Sequence, residues 1–165
     1  QLNRFSERNR HYRDFTLYSL IATLKEVIAC FPVYRTYITD PGPLREDDRK
    51  YVLEAIREAR RRTPGTNHLA YDFIEQILLH GTTGSDTAAK EDRQRFVGKF
   101  QQITSPVAAK GIEDTALYVF NRLVALNEVG SDPTVFGTSP DALHQWLQQR
   151  REQWPGALSA TSTHD

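Results

Sequence analysis

The sequence predicts a mainly α-helical chain of about six helices followed by a single strand. Apolar residues recur at three- and four-residue steps along most of its length, which is the spacing of one face of an α-helix. Only residues 158–162 have the small and β-tolerant side chains that favour a strand. A lone strand cannot satisfy its backbone hydrogen bonds. We therefore expect a helical segment over residues 1–153, with no separate second domain, and a strand within residues 154–165 that joins a sheet or barrel absent from this chain.

The composition is that of an ordinary globular protein. Hydrophobic residues make up 39% of the 165 residues, which is enough for a core of normal size. The 21 basic and 21 acidic residues cancel, so the long-range field that attracts nucleic acid is absent. No apolar run is long enough to span a membrane or to form a secretion signal. We expect a cytoplasmic protein with no nucleic-acid or membrane partner and, because methionine is absent, the interior of a longer polypeptide.

The first long helix is predicted over residues 14–30. Asp14 can cap its start, and Pro32 marks its end. Cys30, the one cysteine, lies at the end of the apolar stripe, where a buried structural thiol is expected rather than a nucleophile. The stripe consists of Leu17, Leu20, Ile21, Leu24, Val27 and Ile28.

Three further helices follow the break "TDPGP". The charge runs "REDDRK" and "REARRR" of the first of them are expected to be solvated faces. The three helices are predicted over residues 46–62, 67–79 and 90–104.

The last part of the chain contains two helix-start signals. Ser105 and Pro106 resemble an N-cap and a first helical residue, so they predict a fifth helix that continues to about residue 126. Gly111 within it predicts a break or a close contact. Ser139 begins a last helix that reaches about Arg151.

Two polar clusters lie beside apolar segments. Arg35, flanked by Tyr34 and Tyr37, combines a fork of donors with aromatic faces, which suits a neutral polyhydroxylated ligand or, equally, an ion pair with a helix carboxylate. In the second cluster a cation precedes two carboxylates by three and four residues, a spacing typical of intrahelical pairs. This cluster consists of Lys110, Glu113 and Asp114.

The sequence contains no pattern that predicts a metal site or a hydrolase triad. The five histidines do not fall into metal-ligand spacings with cysteine or carboxylate. The hydroxyl groups near His164 lack the glycine frame of a nucleophile elbow. We expect no metal and no cofactor.

Three blocks of the sequence resemble a known family. They are "IACFPVYRTYI", "RFVGKFQQITSPVAAKGIEDTALYVFNRLVALNEVGSDP" and "WPGALSATSTHD", and together they resemble the maltooligosyltrehalose synthases, the (1→4)-α-D-glucan 1-α-D-glucosylmutases of the α-amylase superfamily. The "AKGIEDTA" and "STHD" blocks are the most diagnostic. One difference is Ser131 in "GSDP", where the family more often has a second glycine.

The resemblance implies a (β/α)8 catalytic barrel and an isomerase reaction. Such enzymes convert the reducing-end α-1,4 bond of a maltooligosaccharide into an α,α-1,1 bond by a retaining mechanism, with a nucleophile and an acid/base upstream of this segment. "STHD" would then end a barrel strand, with Asp165 stabilising the oxocarbenium-like transition state and His164 binding the same sugar ring. The resemblance also implies that the two polar clusters surround the reducing-end glucose: Arg35, Tyr34, Lys110, Glu113 and Asp114.

The expected partners are thus a maltooligosaccharide or α-1,4-glucan and the remainder of the chain's own barrel. The segment alone is expected to be inactive, because two of three catalytic carboxylates lie elsewhere. Two other functions are compatible with the sequence. One is a hydrolytic α-amylase relative that would share Asp165 and His164, and the other is a non-catalytic helical interaction module in which the tail has no role.

Overall fold

A computed structural model describes residues 2–7, 11–39, 42–80, 87–160 and 162–163. These residues are mainly helical and contain no strand, which confirms the predicted helical class. The chain forms two compact units, residues 1–110 and 111–165, and each is described by itself. The predicted domain boundary at residue 153 stays a prediction. The helices are α1 (Leu2–Glu7), α2 (Leu17–Ala29), α3 (Glu46–Arg62), α4 (His68–Glu75), α5 (Thr87–Ala108), α6 (Leu117–Val119) and α7 (Pro140–Gln153).

Three short segments extend or link these helices. A π-helical turn, Gln76–His80, follows α4, and a longer π-helical segment, Ala109–Ala116, follows α5. A single 3₁₀ turn spans Val124–Leu126. The boundary between the two units falls within the second π-helical segment.

The hydrophobic core lies in the first unit, where α2 packs against α1, α3, α4 and α5. Leu20 and Val27 of the predicted stripe on α2 are fully buried and Leu24 and Ile28 are partly buried, whereas Leu17 and Ile21 are exposed. Each such side chain contributes on the order of 1.5–3 kcal/mol relative to an exposed position. The core also contains Leu2, Phe5, Phe31, Val52, Ala55, Ile56, Ala59, Tyr71, Phe73, Ile74, Ile77, Leu78, Leu79, Phe96, Val97 and Phe100.

The N-cap of α2 differs from the prediction. Thr16, not Asp14, is the N-cap, and its Oγ1 accepts a hydrogen bond from the Ser19 amide at 3.1 Å. Both residue types are good caps, and Thr16 is the one that directly precedes the first helical residue. The end of this helix, Ala29, agrees with the prediction that it stops before Pro32.

The predicted start of a fifth helix at Ser105 is wrong. Helix α5 passes through this position and contains Pro106 in its interior. Gln101 and Thr104, one turn earlier, are buried in the first unit, so tertiary packing continues the helix through a sequence that locally favours a start. Proline has no amide hydrogen for the preceding turn, and the wider π-helical turns begin three residues later. Gly111 lies within those turns, and no atom would contact a Cβ added to it.

The second unit buries little apolar surface. Leu117 is its one buried hydrophobic residue within the described ranges, Phe120 and Leu126 are half-buried, and most of its other large apolar side chains are exposed. The exposed set comprises Ile112, Tyr118, Val119, Leu123, Val124, Val129, Val135, Phe136, Leu143, Trp146, Leu147, Trp154 and Leu158.

The C-terminal segment is irregular where a strand was predicted. Residues 157–160 form no strand, and Leu158 is 95% exposed rather than buried. A strand needs neighbouring strands that supply its hydrogen bonds, and the described residues of this chain contain no such strand. In contrast, the predicted start of the last helix is confirmed, because the Ser139 hydroxyl accepts from the Ala142 amide at 3.2 Å and Pro140 is the first helical residue.

Among the described helices, none has the length and apolar composition needed to cross a membrane.

Candidate functional site

The segment that contains Arg35 has no regular secondary structure, and two side chains hold its backbone. The Tyr37 amide donates to Asp48 Oδ1 at 3.1 Å. Gln101 Oε1 accepts from the Ile38 amide at 2.6 Å, and Gln101 Nε2 donates to the Ile38 carbonyl at 3.2 Å. Both Asp48 and Gln101 are buried, so the backbone of this polar segment is fixed against α3 and α5.

Arg35 is half-buried, and its guanidinium carbon lies 4.6 Å from the centre of the Tyr37 ring. Its Nε donates to the Thr36 carbonyl at a long 3.4 Å. In the described ranges of the first unit no carboxylate forms an ion pair with Arg35, so the alternative of a helix carboxylate partner is not supported there. The Arg35 guanidinium and the exposed Tyr37 ring thus form a surface that has both hydrogen-bond donors and an aromatic face. Tyr34, also half-buried, belongs to the same segment.

Two buried oxygens, one in this segment and one on the carboxylate that holds it, have no hydrogen-bond partner among the described residues. They are Thr36 Oγ1 and Asp48 Oδ2. Asp48 is only 4% exposed, and its other oxygen receives the Tyr37 amide. Buried polar atoms of this kind are usually satisfied by an ordered water or a ligand.

The second predicted cluster lies on the π-helical segment Ala109–Ala116. Lys110 is exposed and belongs to the first unit, whereas the half-buried Glu113 and the exposed Asp114 belong to the second. Because π-helical turns have a wider repeat than α-helical turns, the three- and four-residue spacing does not define one face as it does in an α-helix.

In the second unit, Asn127 connects two parts of one block of the resemblance. Its Nδ2 donates to the carbonyls of Leu117 and Phe120, each at 2.8 Å. The turn "NEVGSDP" is thereby attached to the end of the segment "GIEDTALYVF". The sequence alone assigned no role to Asn127.

Glu128 binds the segment that leads to the predicted catalytic residues. Its Oε2 accepts from the Thr163 amide at 2.6 Å and from the Thr163 hydroxyl. Its Oε1 accepts from the Ser162 hydroxyl at 3.3 Å. The Thr163 hydroxyl in turn accepts from the Val129 amide at 2.8 Å. These contacts, between Glu128–Val129 and Ser162–Thr163, are called the Glu128 clamp below.

Sequence reasoning missed Glu128. The two parts of the clamp are 35 residues apart, and neither local spacing nor helical periodicity predicts such a contact. The one indication in the sequence is that Glu128 lies in "NEVGSDP", the end of the second block of the resemblance. The predicted site residues His164 and Asp165 lie outside the described residues, and their roles stay predictions.

No group of histidine, cysteine, aspartate and glutamate side chains in the described part of the chain is arranged to hold a metal ion.

Two curated proteins are similar to part of this chain. They come from the CDC 1551 / Oshkosh and the ATCC 25618 / H37Rv strains of Mycobacterium tuberculosis, and each has the name "Putative maltooligosyl trehalose synthase". Each is 40% identical over 67 residues, which is 41% of this chain and 9% of the relative. No family model and no solved structure matches. The chain therefore contains a segment similar to proteins named as trehalose synthases, and the match spans about a tenth of their length.

Proposed function

We propose that this chain is part of an intramolecular transglycosylase that converts the reducing-end α-1,4 bond of maltooligosaccharides into an α,α-1,1 bond. The observation that carries the proposal is the Glu128 clamp, which joins "NEVGSDP" to the "ST" of "STHD". Both blocks belong to the resemblance, and they are far apart in sequence. The partial identity to two proteins named as maltooligosyl trehalose synthases supports the same reaction.

Asn127 connects "NEVGSDP" to an earlier part of the same block. It attaches the end of "GIEDTALYVF", which carries Glu113 and Asp114, to the turn that presents Glu128. The second unit thus contains Glu113, Asp114 and the segment that precedes His164 and Asp165, whereas Arg35, Tyr34 and Lys110 lie in the first unit. In a helical interaction module whose tail has no role, the hydrogen bonds from Ser162 and Thr163 to Glu128 would not be expected.

In this proposal, Asp165 stabilises the oxocarbenium-like transition state and His164 hydrogen-bonds the same ring. Isomerisation requires that the released glucose stays in the pocket and reorients while water is excluded. Arg35 and Tyr34 would bind its hydroxyl groups, and the cluster around Lys110 would enclose it.

The remainder of the catalytic barrel is the proposed partner of the second unit. Its exposed apolar side chains include Trp146 and Trp154, which are 52% and 69% exposed. Both tryptophans line one surface depression, and exposed apolar side chains grouped in this way mark interaction surfaces. A nucleophile and an acid/base supplied by that barrel would complete the three carboxylates, so the 165-residue chain by itself should be inactive.

The first test is the reaction of the full-length enzyme with maltopentaose. We expect a non-reducing product with a terminal trehalose unit and its loss in Asp165→Asn. The isolated 165-residue chain should produce neither this product nor reducing sugars. Glucose or maltose as the main product would instead indicate a hydrolytic relative, and turnover by the isolated chain would contradict the assignment of the other two carboxylates to the barrel.

The second test concerns the product ratio. Arg35→Ala and Glu113→Gln should raise the fraction of glucose released by hydrolysis, because both side chains are proposed to hold the sugar while water is excluded. The cation–π contact of Arg35 is worth about 0.5–1 kcal/mol, so its removal should shift the melting temperature by only about a few degrees. Free glucose, trehalosyl product and thermal unfolding would be measured together.

Matched controls are Arg61→Ala, which removes an exposed arginine of α3, and Glu152→Gln, which removes an exposed carboxylate of α7. Both should leave the product ratio unchanged. If Arg35 or Glu113 had a structural role alone, its loss would lower the stability, activity would fall in proportion to the folded fraction, and the product ratio would not change. An unchanged product ratio in both variants would contradict their assignment to the sugar site.

A further inference from the structure

We propose that Asp48 and Gln101 are positioning residues, which fix the backbone of Tyr37 and Ile38 and thereby orient the Arg35 guanidinium that controls the product ratio. This inference rests on the proposed function, because Arg35 is assigned to the sugar site there. Neither Asp48 nor Gln101 is assigned to contact the substrate. Their effect on the reaction passes through Tyr37 to Arg35, and all of these residues lie in the first unit.

The segment around Arg35 alternates between buried and exposed side chains. Thr36 is fully buried and Ile38 packs against the core, whereas Tyr37 between them is exposed. Such an alternation directs side chains two residues apart to the same side of the chain. Arg35 and Tyr37 are such a pair, and the guanidinium carbon lies 4.6 Å from the centre of the ring.

The ring of Tyr37 is the main described contact that sets the direction of the Arg35 guanidinium. The described hydrogen bond of this side chain, from Nε to the Thr36 carbonyl, is 3.4 Å long and therefore weak. A rotation of the Tyr37 backbone would move the ring and leave the guanidinium without this contact. The orientation of Arg35 thus depends on what holds the backbone of Tyr37.

Asp48 holds that backbone from α3. Its Oδ1 accepts from the Tyr37 amide at 3.1 Å, and the charge of a carboxylate strengthens such a bond. Asp48 is buried in the first turn of α3, and Val52, one turn later, is fully buried in the core. Because its helix is anchored in this way, the carboxylate is a fixed acceptor rather than one that follows the segment.

Gln101 holds the next residue from α5. Its amide pairs with both the N–H and the carbonyl of Ile38, at 2.6 and 3.2 Å, and two bonds to one residue restrict its rotation. The neighbouring Phe100 packs edge-on against Phe31, with ring centres 5.4 Å apart. Helix α5 therefore holds the chain at Phe31 and at Ile38, on both sides of Arg35.

The proposed role of Arg35 makes its orientation important. A guanidinium presents its donors in a rigid plane, so a sugar hydroxyl can be bound only when that plane is correctly directed. A displacement of about 1 Å can cost about 100-fold in rate. A guanidinium that is present but wrongly directed would enclose the released glucose less well, and more of it would be lost to water.

The test uses the full-length enzyme with maltopentaose. Gln101→Met removes both side-chain hydrogen bonds to Ile38 with little change in volume, and Asp48→Ala removes the acceptor of the Tyr37 amide. We expect each to raise the ratio of glucose to trehalosyl product by about three- to tenfold. Asp48→Asn keeps an oxygen for the Tyr37 amide and should keep the native ratio. Arg35→Ala combined with Gln101→Met should be little worse than Arg35→Ala alone, because both act through the same guanidinium.

The matched control is Thr23→Val, which removes another buried hydrogen bond of the first unit, from the Thr23 hydroxyl to the Ser19 carbonyl. It should lower the stability and leave the product ratio unchanged. If Asp48 and Gln101 had a structural role alone, their variants would behave in the same way. A native ratio in Gln101→Met, or additive effects when it is combined with Arg35→Ala, would overturn the proposal even if Asp48→Ala failed to fold.

Nuclear magnetic resonance of the 165-residue chain tests the positioning separately from the reaction. The Arg35 side-chain protons should be shifted by the ring current of Tyr37 in the native chain and in Thr23→Val. They should move toward the values of an unstructured arginine in Gln101→Met and Asp48→Ala. Unchanged shifts in both variants would overturn the positioning even if the full-length enzyme forms the trehalose bond. Loss of the shifts, with a full-length enzyme that forms only hydrolytic products, would support the positioning and reject the proposed isomerisation.

Discussion

Cys30 shows how a single residue's surroundings set its reactivity. Burial raises the pKa of the Cys30 thiol, the Glu58 and Glu26 carboxylates raise it further, and the Arg62 guanidinium opposes them. Because the thiolate is the reactive form, Cys30 should react slowly at pH 7, with a rate that rises only above the usual thiol range. The measurement is the rate of modification by a chromogenic disulfide reagent as a function of pH. The same titration in denaturant should give the ordinary pKa, and an inflection below the usual range in the native chain would contradict the prediction.

Single residues were predictable where their role is local. Ser139 was identified as an N-cap because a cap and its helix are adjacent in sequence. Asp14 was wrong because Thr16, two residues later, satisfies the same backbone donors at the actual helix start. Glu128 was not predictable, since its partners lie 35 residues away and a carboxylate in a polar turn has no distinguishing local pattern.

At the scale of an element, the π-helical turn Gln76–His80 depends on one buried arginine of α5. Arg93 Nε donates to the Ile77 carbonyl at 2.7 Å, and its Nη2 donates to the Leu78 carbonyl at 2.9 Å. Arg93→Met keeps the apolar stem but leaves both carbonyls without these donors. We expect a loss of about 2–4 kcal/mol in the free energy of unfolding, measured by urea denaturation.

The matched control is Arg95→Met on the same helix. Arg95 is exposed and forms only long ion pairs with Glu91 and Asp92, at 4.0 and 3.7 Å. Exposed pairs of this kind contribute about 0–1 kcal/mol. Equal losses in the two variants would show that the carbonyl contacts of Arg93 do not stabilise the turn.

Helices were predicted well where periodicity and end signals agree. Helix α3 matches its predicted range, with acidic residues in its first turn and arginines in its last, as the helix dipole favours. The fifth helix was wrong because burial of Gln101 and Thr104 outweighs the local start signal at Ser105. Neither π-helical segment was predicted, since the apolar spacing of such short stretches does not separate them from an α-helix.

At the scale of the whole molecule, the two units differ in the amount of apolar surface that each buries. The chain has two tryptophans, Trp146 and Trp154, and both lie in the second unit and are more than half exposed. Their fluorescence should therefore resemble that of solvated tryptophan and change little on heating. Far-UV circular dichroism should show a cooperative transition from the first unit. Tryptophan emission at short wavelength, with a transition that coincides with the dichroism, would contradict this expectation.

The helical class was predictable because it depends on composition and periodicity over the whole chain. The strand at residues 158–162 was not observed, because its formation depends on neighbours rather than on its own side chains. For the candidate site, the sequence identified Arg35 beside Tyr37, which are adjacent in the chain. The support of that segment by Asp48 and Gln101 depends on the packing of α3 and α5 and was not predictable.

The Glu128 clamp also closes a loop of the chain. The conformational entropy of loop closure determines how insertions in that loop affect the clamp. Bringing together residues separated by 35 positions costs about 3 kcal/mol in conformational entropy, and the four hydrogen bonds described for the clamp, all exposed, contribute about 0.5–1 kcal/mol each. The two quantities nearly cancel. Doubling the length between the two parts would add only about 0.6 kcal/mol, whereas losing one hydrogen bond removes about 1 kcal/mol. Insertions between positions 129 and 162 should therefore disturb this contact less than a substitution at position 128 or 163.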